Sequence, residues 1–164
     1  IVDVGGGAGQ LVGALLQANP TLEGSVVDLP AAAQRAREAF ADAGLGGRAQ
    51  VFEASFFDRL PAHGDLYILA QVLHDWPDEP ALAILQRCAQ AAAPNGKVLI
   101  VERVMSDPPS AEHLAADLFM LVLFGAKERT LAEFGALASG AGLAITGTQD
   151  IGFGLSAIEL RSAA

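Results

Sequence analysis

The chain has 164 residues, of which 52% are hydrophobic, and a formal net charge of −9 at neutral pH with a pI near 4.6. This length suits a single domain with a substantial core, while the acidic balance excludes a nucleic-acid backbone as partner, since that needs clustered Lys and Arg. Cys88 is the only cysteine, so an internal disulfide is excluded and a cytoplasmic location is favoured, and no apolar run is long enough to cross a membrane.

Strand-like and helix-like patterns alternate along the whole sequence. Strands are predicted at residues 1–4, 24–29, 48–54, 65–73, 97–104, 143–150 and 155–161. Helices are predicted at residues 10–18, 31–43, from 77 or 80 to about 93, 112–124 and 131–140. This alternation indicates an α/β fold, with a mostly parallel seven-stranded sheet, helices on both faces and a C-terminal antiparallel hairpin.

The first predicted strand runs into a cluster of glycines. Asp3 stands near its end, and Gly5, Gly7 and Gly9 follow before the helix at 10–18. Glycines allow positive φ and close approach of a ligand to the main chain, and the helix start offers unpaired N–H groups. The dinucleotide spacing G-x-G-x-x-G fails in both registers, and a carboxylate at a strand end suits a cationic ligand better than a pyrophosphate. The pattern therefore predicts a nucleotide-type pocket but argues against NAD.

Further polar and aromatic side chains follow other predicted strands, at the edge where ligands bind in open α/β sheets. Asp28 can accept hydrogen bonds from both hydroxyls of a ribose, or it can cap the following helix. His74 leaves a buried strand at this edge, and an ordinary imidazole pKa of about 6.5 suits a general base near neutral pH. Asp75 or Asp78 can simply cap the next helix, and Trp76 is either core or a flat wall for an adenine ring.

Four more motifs follow the glycine cluster in a fixed order. They are VDLP at 27–30, LHDWPDE at 73–79, GKVLIVE at 96–102 and KERT at 127–130. Together with Asp3-x-Gly5-x-Gly7-x-Gly9, they resemble the catalytic domain of the plant-type O-methyltransferases, which includes caffeic acid, flavonoid and acetylserotonin enzymes and bacterial enzymes that tailor aromatic polyketides. The resemblance covers nearly the whole chain, and the Ala and Arg bias is more like the bacterial branch.

The resemblance implies a Rossmann-like class I methyltransferase that moves a methyl group from S-adenosylmethionine to a phenolic hydroxyl of a small aromatic molecule. S-adenosylhomocysteine would be the product, and no metal is implied. The family's general base falls on His74, and its two flanking acids fall on Glu102 and Glu128. The implied cofactor contacts are Asp3, Gly5, Gly7, Gly9, Asp28, Leu29, Ser55, Phe56 and Trp76. Asp117 and Met120 share one helix face that borders the acceptor pocket in the family, so we expect both to touch the substrate.

The resemblance also implies a partner and a larger protein. In the family, an N-terminal helical domain makes an intertwined homodimer and supplies part of the acceptor pocket. This chain has no starting Met and begins inside a predicted strand. We therefore interpret residues 1–164 as the cofactor-binding catalytic domain of a longer protein, and expect a homodimer through the missing N-terminal domain.

The sequence departs from the family at two points and leaves alternatives open. Ser55-Phe56 stands where the family usually has Asp-Met, and Ala70 stands where the plant enzymes often have Lys. A few bacterial relatives keep the cofactor pocket but run hydroxylation or decarboxylation. The alternatives are therefore such a non-methylating relative, an NAD-dependent oxidoreductase and a catalytically inactive binding domain.

Overall fold

Strand and helix elements alternate along the computed structural model, which describes residues 1–92 and 95–163. The strands are β1 (Val2–Val4), β2 (Gly24–Asp28), β3 (Ala49–Glu53), β4 (Leu66–Ala70), β5 (Lys97–Glu102), β6 (Val104–Met105), β7 (Arg129–Thr130), β8 (Leu143–Gly152) and β9 (Leu155–Ser162). The helices are α1 (Gln10–Ala18), α2 (Pro30–Asp42), α3 (Asp78–Ala92), α4 (Ala111–Phe124) and α5 (Leu131–Gly140). Ala93, the predicted end of the third helix, lies outside the described residues.

The main sheet has seven strands in the order β3-β2-β1-β4-β5-β9-β8. The first five are parallel, and β9 and β8 join as an antiparallel hairpin. This confirms the predicted α/β fold class. The strand order reverses between β1 and β4, so a crevice opens where the carboxyl ends of these two strands diverge.

Helices cover both faces of the sheet because neighbouring side chains of a strand point in opposite directions. Val26 packs in a cluster with α1 and α2, through residues such as Leu16 and Phe40. Its neighbour Val27 packs in the larger cluster, which includes the buried faces of α3 and α5. Within the described residues, no helix is long and apolar enough to span a membrane.

Two predicted strands are wrong at their carboxyl ends. The strand predicted at 65–73 ends at Ala70, and the chain continues through Gln71, at a φ of 54°, into a 3₁₀ turn at Leu73–Asp75. His74 therefore lies on this turn rather than at a strand end. The strand predicted at 97–104 ends at Glu102, and β6 pairs instead with β7 in a separate parallel ladder that the sequence did not predict.

Candidate active site

The glycine segment after β1 forms a sharp corner at the crevice. Gly5, Gly7 and Gly9 have φ values of 76°, 60° and 77°, which side-chain-bearing residues rarely adopt. A Cβ at Gly5 would lie 2.9 Å from Val72 Cγ2, whereas a Cβ at Gly7 would meet nothing within 4 Å. The corner thus packs on Val72, just after β4, at one end and leaves open space over its main chain at Gly7. Gly9 is the N-cap of α1.

Two predicted acids of the cofactor site lie in different surroundings. Asp28 Oδ2 accepts the Gly7 N–H at 2.8 Å, and its Oδ1 accepts the Leu29 N–H at 2.7 Å. The N-cap of α2 is Leu29, with no side-chain cap, so the helix-capping alternative for Asp28 is wrong. Asp3 is buried below the corner, and this burial, with the nearby Asp28 charge, raises its pKa to about 7. Asp28 is therefore accessible to a ligand, while Asp3 supports the corner from below.

A cleft of about 800 Å³ opens beside this corner, and both apolar and polar residues line it. Its lining residues are Gly5, Asp28, Phe56, Gln71, Val72, Asp75, Trp76, Pro77, Pro80 and Leu123. Trp76 packs edge-to-face on Phe56, with ring centroids 5.8 Å apart, so it is both a packed residue and a wall of the cleft. Ser55 Oγ accepts the Phe57 N–H at 3.2 Å and stabilises the turn after β3.

His74 does not itself line this cleft, but Asp75 and Trp76, which follow it in the chain, do. Two carboxylates face the same ring nitrogen of His74. Its Nδ1 is 3.5 Å from Glu128 Oε1 and 3.6 Å from Glu102 Oε2. Glu102 is fully buried, and its Oε1 accepts the N–H groups of Val72 and Leu73 at 2.9 and 2.8 Å. The predicted base and its two predicted acids are therefore brought together, although they come from three separate segments.

The carboxylates change how this cluster holds protons. Glu128 raises the pKa of His74. The charges of Glu102 and Asp75 raise it further, whereas the partial burial of the imidazole lowers it. Burial raises the pKa of Glu102 to about 7, against the lowering effect of His74 and of the two N–H groups. Glu102 and Glu128 face Nδ1, while Asp75 Oδ1 lies 3.5 Å from Nε2. Two buried carboxylates at Nδ1, against one more exposed carboxylate at Nε2, favour a proton on Nδ1, which leaves Nε2 as the acceptor. The imidazole can thus take up a proton at Nε2, with a pKa above its ordinary value.

Three buried polar atoms of the cluster have no hydrogen-bond partner in the described part of the chain. They are His74 Nδ1, Glu102 Oε2 and Glu128 Oε2. Buried polar atoms are normally paired, so three unpaired ones in a single cluster favour a functional role for it. Among the described residues, no group of three or more His, Cys, Asp or Glu side chains is arranged to hold a metal ion.

The residues predicted to touch the substrate have other partners. Asp117 Oδ1 accepts the Glu128 N–H at 2.9 Å, and Met120 is buried with 5% of its surface exposed. Neither lines the cleft, where α4 contributes Leu123 instead. Sequence reasoning also missed Gln71, which lines the cleft, and Arg129, whose position within the KERT motif was the one available signal.

Comparison with known proteins identifies close relatives of this fold and of these motifs. The O-methyltransferase domain family model matches residues 1–144. A 2,7-dihydroxy-5-methyl-1-naphthoate 7-O-methyltransferase of Streptomyces carzinostaticus is 50% identical over 160 residues, which cover 98% of this chain and 47% of that protein. Aclacinomycin 10-hydroxylase RdmB of Streptomyces purpurascens is 39% identical over 167 residues, covering 97% of this chain and 45% of that protein.

A solved structure gives the same result. The O-methyltransferase NcsB1 from neocarzinostatin biosynthesis, in complex with S-adenosylmethionine and 2-hydroxy-5-methyl naphthoic acid, superposes with a TM-score of 0.93. It is 49% identical in sequence, and the match covers 99% of this chain and 48% of that one. The chain thus spans about half the length of the relatives that it matches.

Proposed function

The chain belongs to the O-methyltransferase domain family, and on that premise we propose that it is the catalytic domain of an S-adenosylmethionine-dependent enzyme that methylates a phenolic hydroxyl of a small aromatic molecule. The observation that carries the proposal is the meeting of one imidazole and two buried carboxylates at the turn that leads into a cleft lined by Gly5 and Asp28. The naphthoate named for the 50% identical relative supports a fused-ring aromatic acceptor.

The residues of the cleft fit the proposed cofactor. A carboxylate has about four lone-pair positions, and Asp28 uses two of them for N–H groups, which leaves two for ribose hydroxyls. The open space at Gly7 admits a ligand against the main chain, and Phe56 and Trp76 offer flat apolar surfaces for a purine. When bound, S-adenosylmethionine supplies an electrophilic methyl group on its sulfonium.

His74 acts as the general base in this proposal. A phenol with a pKa near 10 is a poor nucleophile at neutral pH, and loss of its proton during attack lowers the barrier. His74 Nε2 takes that proton, and the Glu102 and Glu128 carboxylates stabilise the resulting imidazolium through Nδ1. The residues of the cleft would hold the acceptor beside the bound cofactor, and such positioning supplies much of the catalysis of a group transfer.

A non-methylating reaction is the second candidate, because the 39% identical relative is named a hydroxylase. Retention of the base and both acids favours methyl transfer, since a proton acceptor for a phenol has a direct role there. The NAD-dependent alternative is disfavoured by the glycine spacing.

Methyl transfer is tested with the full-length protein, S-adenosylmethionine carrying a labelled methyl group, and a panel of naphthoates, catechols and polycyclic phenols. We expect the label in an O-methylated product seen by mass spectrometry. An added oxygen without the label would favour the second candidate, and no product from any acceptor would favour an inactive binding domain.

Cofactor binding is tested by calorimetric titration with S-adenosylhomocysteine and with NAD. We expect binding of the first and none of the second, and weaker binding in Asp28→Ala but not in Asp42→Ala, an acid at the exposed end of α2. Binding of NAD alone would contradict the proposal. Asp3, Leu29 and Ser55 remain predicted contacts of the same ligand.

The proposal also covers the oligomeric state and the cellular location of the full-length protein. We propose a homodimer formed through an N-terminal domain, since the relatives are about twice as long as the chain and α4 exposes a set of apolar side chains. We also propose a cytoplasmic enzyme, because the single thiol, Cys88, is fully buried and has no disulfide role.

A further inference from the structure

Arg129 holds the backbone on both sides of His74. Its guanidinium is fully buried, Nη1 donates to the Leu73 carbonyl at 2.7 Å, and Nη2 donates to the Trp76 carbonyl at 2.8 Å. Nε and Nη2 also donate to Asp78 Oδ1 at 3.1 and 2.9 Å. The Arg129 guanidinium is therefore hydrogen-bonded both to the 3₁₀ turn that carries the imidazole and to the first turn of α3, which follows that turn.

The same short segment delivers the carboxylate that faces the imidazole. Glu128 precedes Arg129, and its N–H donates to Asp117 on α4 at 2.9 Å. Arg129 begins β7, which pairs with β6. The backbone of Glu128 is thus tied to α4, and its neighbour is tied to the His74 turn.

The contact between the His74 imidazole and the Glu128 carboxylate is weak by itself. Glu128 Oε1 lies 3.5 Å from Nδ1, at the outer limit of a hydrogen bond, and Glu128 Oε2 has no partner among the residues described. Glu102, by contrast, is fixed by the N–H groups of Val72 and Leu73. The Glu128 distance therefore depends on the backbone ties around it.

We propose that Arg129 is a positioning residue, which ties the His74 turn to the Glu128 segment and so keeps the Glu128 carboxylate against the imidazole of the base. The inference rests on the proposed function, because it assigns the tie a role in methyl transfer. The charged groups that face His74 are Asp75 on its own turn, Glu102 at the end of β5 and Glu128 before β7. Of these, only Glu128 is adjacent to Arg129.

The test compares Arg129→Lys and Arg129→Met with Arg48→Met in the full-length protein. Lys keeps the charge but cannot reproduce the planar fork. Arg48 is a matched control, because it also donates to several backbone carbonyls, those of Leu16, Asn19 and Leu22. It lies directly before β3, at the amino end of that strand and so away from the carboxyl-end site. The first measurement is the NMR titration of the His74 imidazole without cofactor, assigned by the signal lost in His74→Ala.

We expect the pKa of His74 to fall toward its usual value in both Arg129 variants, because Glu128 is its largest raising influence. In the methyl-transfer assay, the acid limb of kcat should then move to lower pH. The plateau of kcat should fall about 10- to 100-fold, with KM for S-adenosylmethionine changed less than about twofold. Arg48→Met should leave the His74 titration and the pH profile unchanged.

A folded Arg129→Lys protein with the parent's His74 titration would overturn the inference, whatever its activity, since a merely structural role predicts that result. If Arg129→Met does not fold, the test uses Arg129→Lys and Asp78→Asn. The second substitution weakens the hydrogen bonds of the Arg129 guanidinium at a more exposed residue. A parent protein without methyl transfer would contradict the proposed function instead. An active parent with an unchanged titration in the variants would contradict only this inference.

Discussion

His74 has two carboxylate neighbours that differ in how firmly they are held. Glu102 is fully buried and fixed by two backbone N–H groups, while Glu128 reaches the same ring nitrogen from a segment held through its backbone. A fixed carboxylate orients an imidazole, and a second one increases the stabilisation of the imidazolium. In the proposed mechanism, Glu102 would therefore mainly orient the imidazole, and Glu128 would mainly tune its basicity.

Replacement of His74, the proposed base, gives the most direct prediction at this scale. In His74→Ala, methyl transfer should fall about 10²- to 10⁴-fold, because the phenol must then lose its proton to water. In the parent, neighbouring carboxylates raise the pKa of His74, so kcat should rise with pH through a limb that lies above pH 6.5. The measurement is the pH profile of kcat alongside the affinity for S-adenosylhomocysteine. If His74→Ala transferred the methyl group as fast as the parent, His74 would not be the base, and positioning of the reactants would account for the catalysis.

Asp3 gives a prediction about stability rather than rate. Burial raises its pKa from 3.8 to about 7, so between these values the folded state binds more protons than the unfolded state. The free energy of unfolding contributed by Asp3 therefore falls as pH rises from about 4 to 7, by at most about 1.4 kcal/mol per pH unit. In Asp3→Asn this dependence should flatten by that amount, as measured by urea unfolding across the range.

Asp42→Asn, at the exposed end of α2, is the control for that measurement. Its pH dependence should match the parent's. An equal slope in the parent and in Asp3→Asn would show that Asp3 titrates normally in the folded protein.

At the scale of elements, the fold could be predicted well from the sequence because its patterns are local. Helices at 10–18 and 131–140 are confirmed at both ends, and the terminal hairpin is confirmed in place. The approach of Glu102 to His74 was also anticipated, because the carboxyl ends of neighbouring parallel strands share one edge, whereas the place of Glu128 was implied only by the family resemblance. Their roles in catalysis stay predictions.

The errors arose where distant side chains decide the local structure. The run at 65–73 is uninterrupted by glycine or proline, so it predicts one strand. In the fold, the Glu102 carboxylate accepts the N–H groups of Val72 and Leu73, and those residues leave the ladder. The role of Arg129 was hidden for the same reason, since its acceptors lie more than 50 positions earlier in the chain.

The start of α5 gives the prediction for this scale. Thr130 and Glu133 form a capping box, in which Thr130 Oγ1 accepts the Glu133 N–H and Glu133 accepts the Thr130 N–H. Thr130→Ala should lower the free energy of unfolding by about 1 kcal/mol, while Thr130→Ser should retain most of it. Urea unfolding of both variants measures the difference, and equal losses would contradict a role of the hydroxyl.

The cap should also respond to acid. Lys127 and the Thr130 N–H hold the pKa of Glu133 below its usual range. Stability from this carboxylate is therefore complete above the unfolded pKa and is lost as pH falls through the folded value. The stabilities of parent and Glu133→Gln should accordingly differ above the unfolded pKa and converge at low pH.

For the whole molecule, α4 is the feature that a single packed domain does not explain. It exposes Leu114, Leu118, Phe119, Leu121, Val122 and Leu123, with 73% exposure at Val122. A helix that is apolar over so much of its surface is normally covered. Because Leu123 also lines the cleft, whatever covers α4 lies beside the acceptor side of the proposed active site.

The proposed homodimer predicts the result of charging this face. In the full-length protein, Leu118→Lys with Val122→Lys should shift the mass in analytical ultracentrifugation from dimer to monomer, because burying two ammonium groups in an apolar interface is costly. KM for the acceptor should rise at least several-fold, because Leu123 on the same helix lines the cleft. Phe52→Lys, at an exposed position of β3, should change neither quantity. A double variant that remains dimeric with the parent's KM would show that α4 is covered by something other than a second copy.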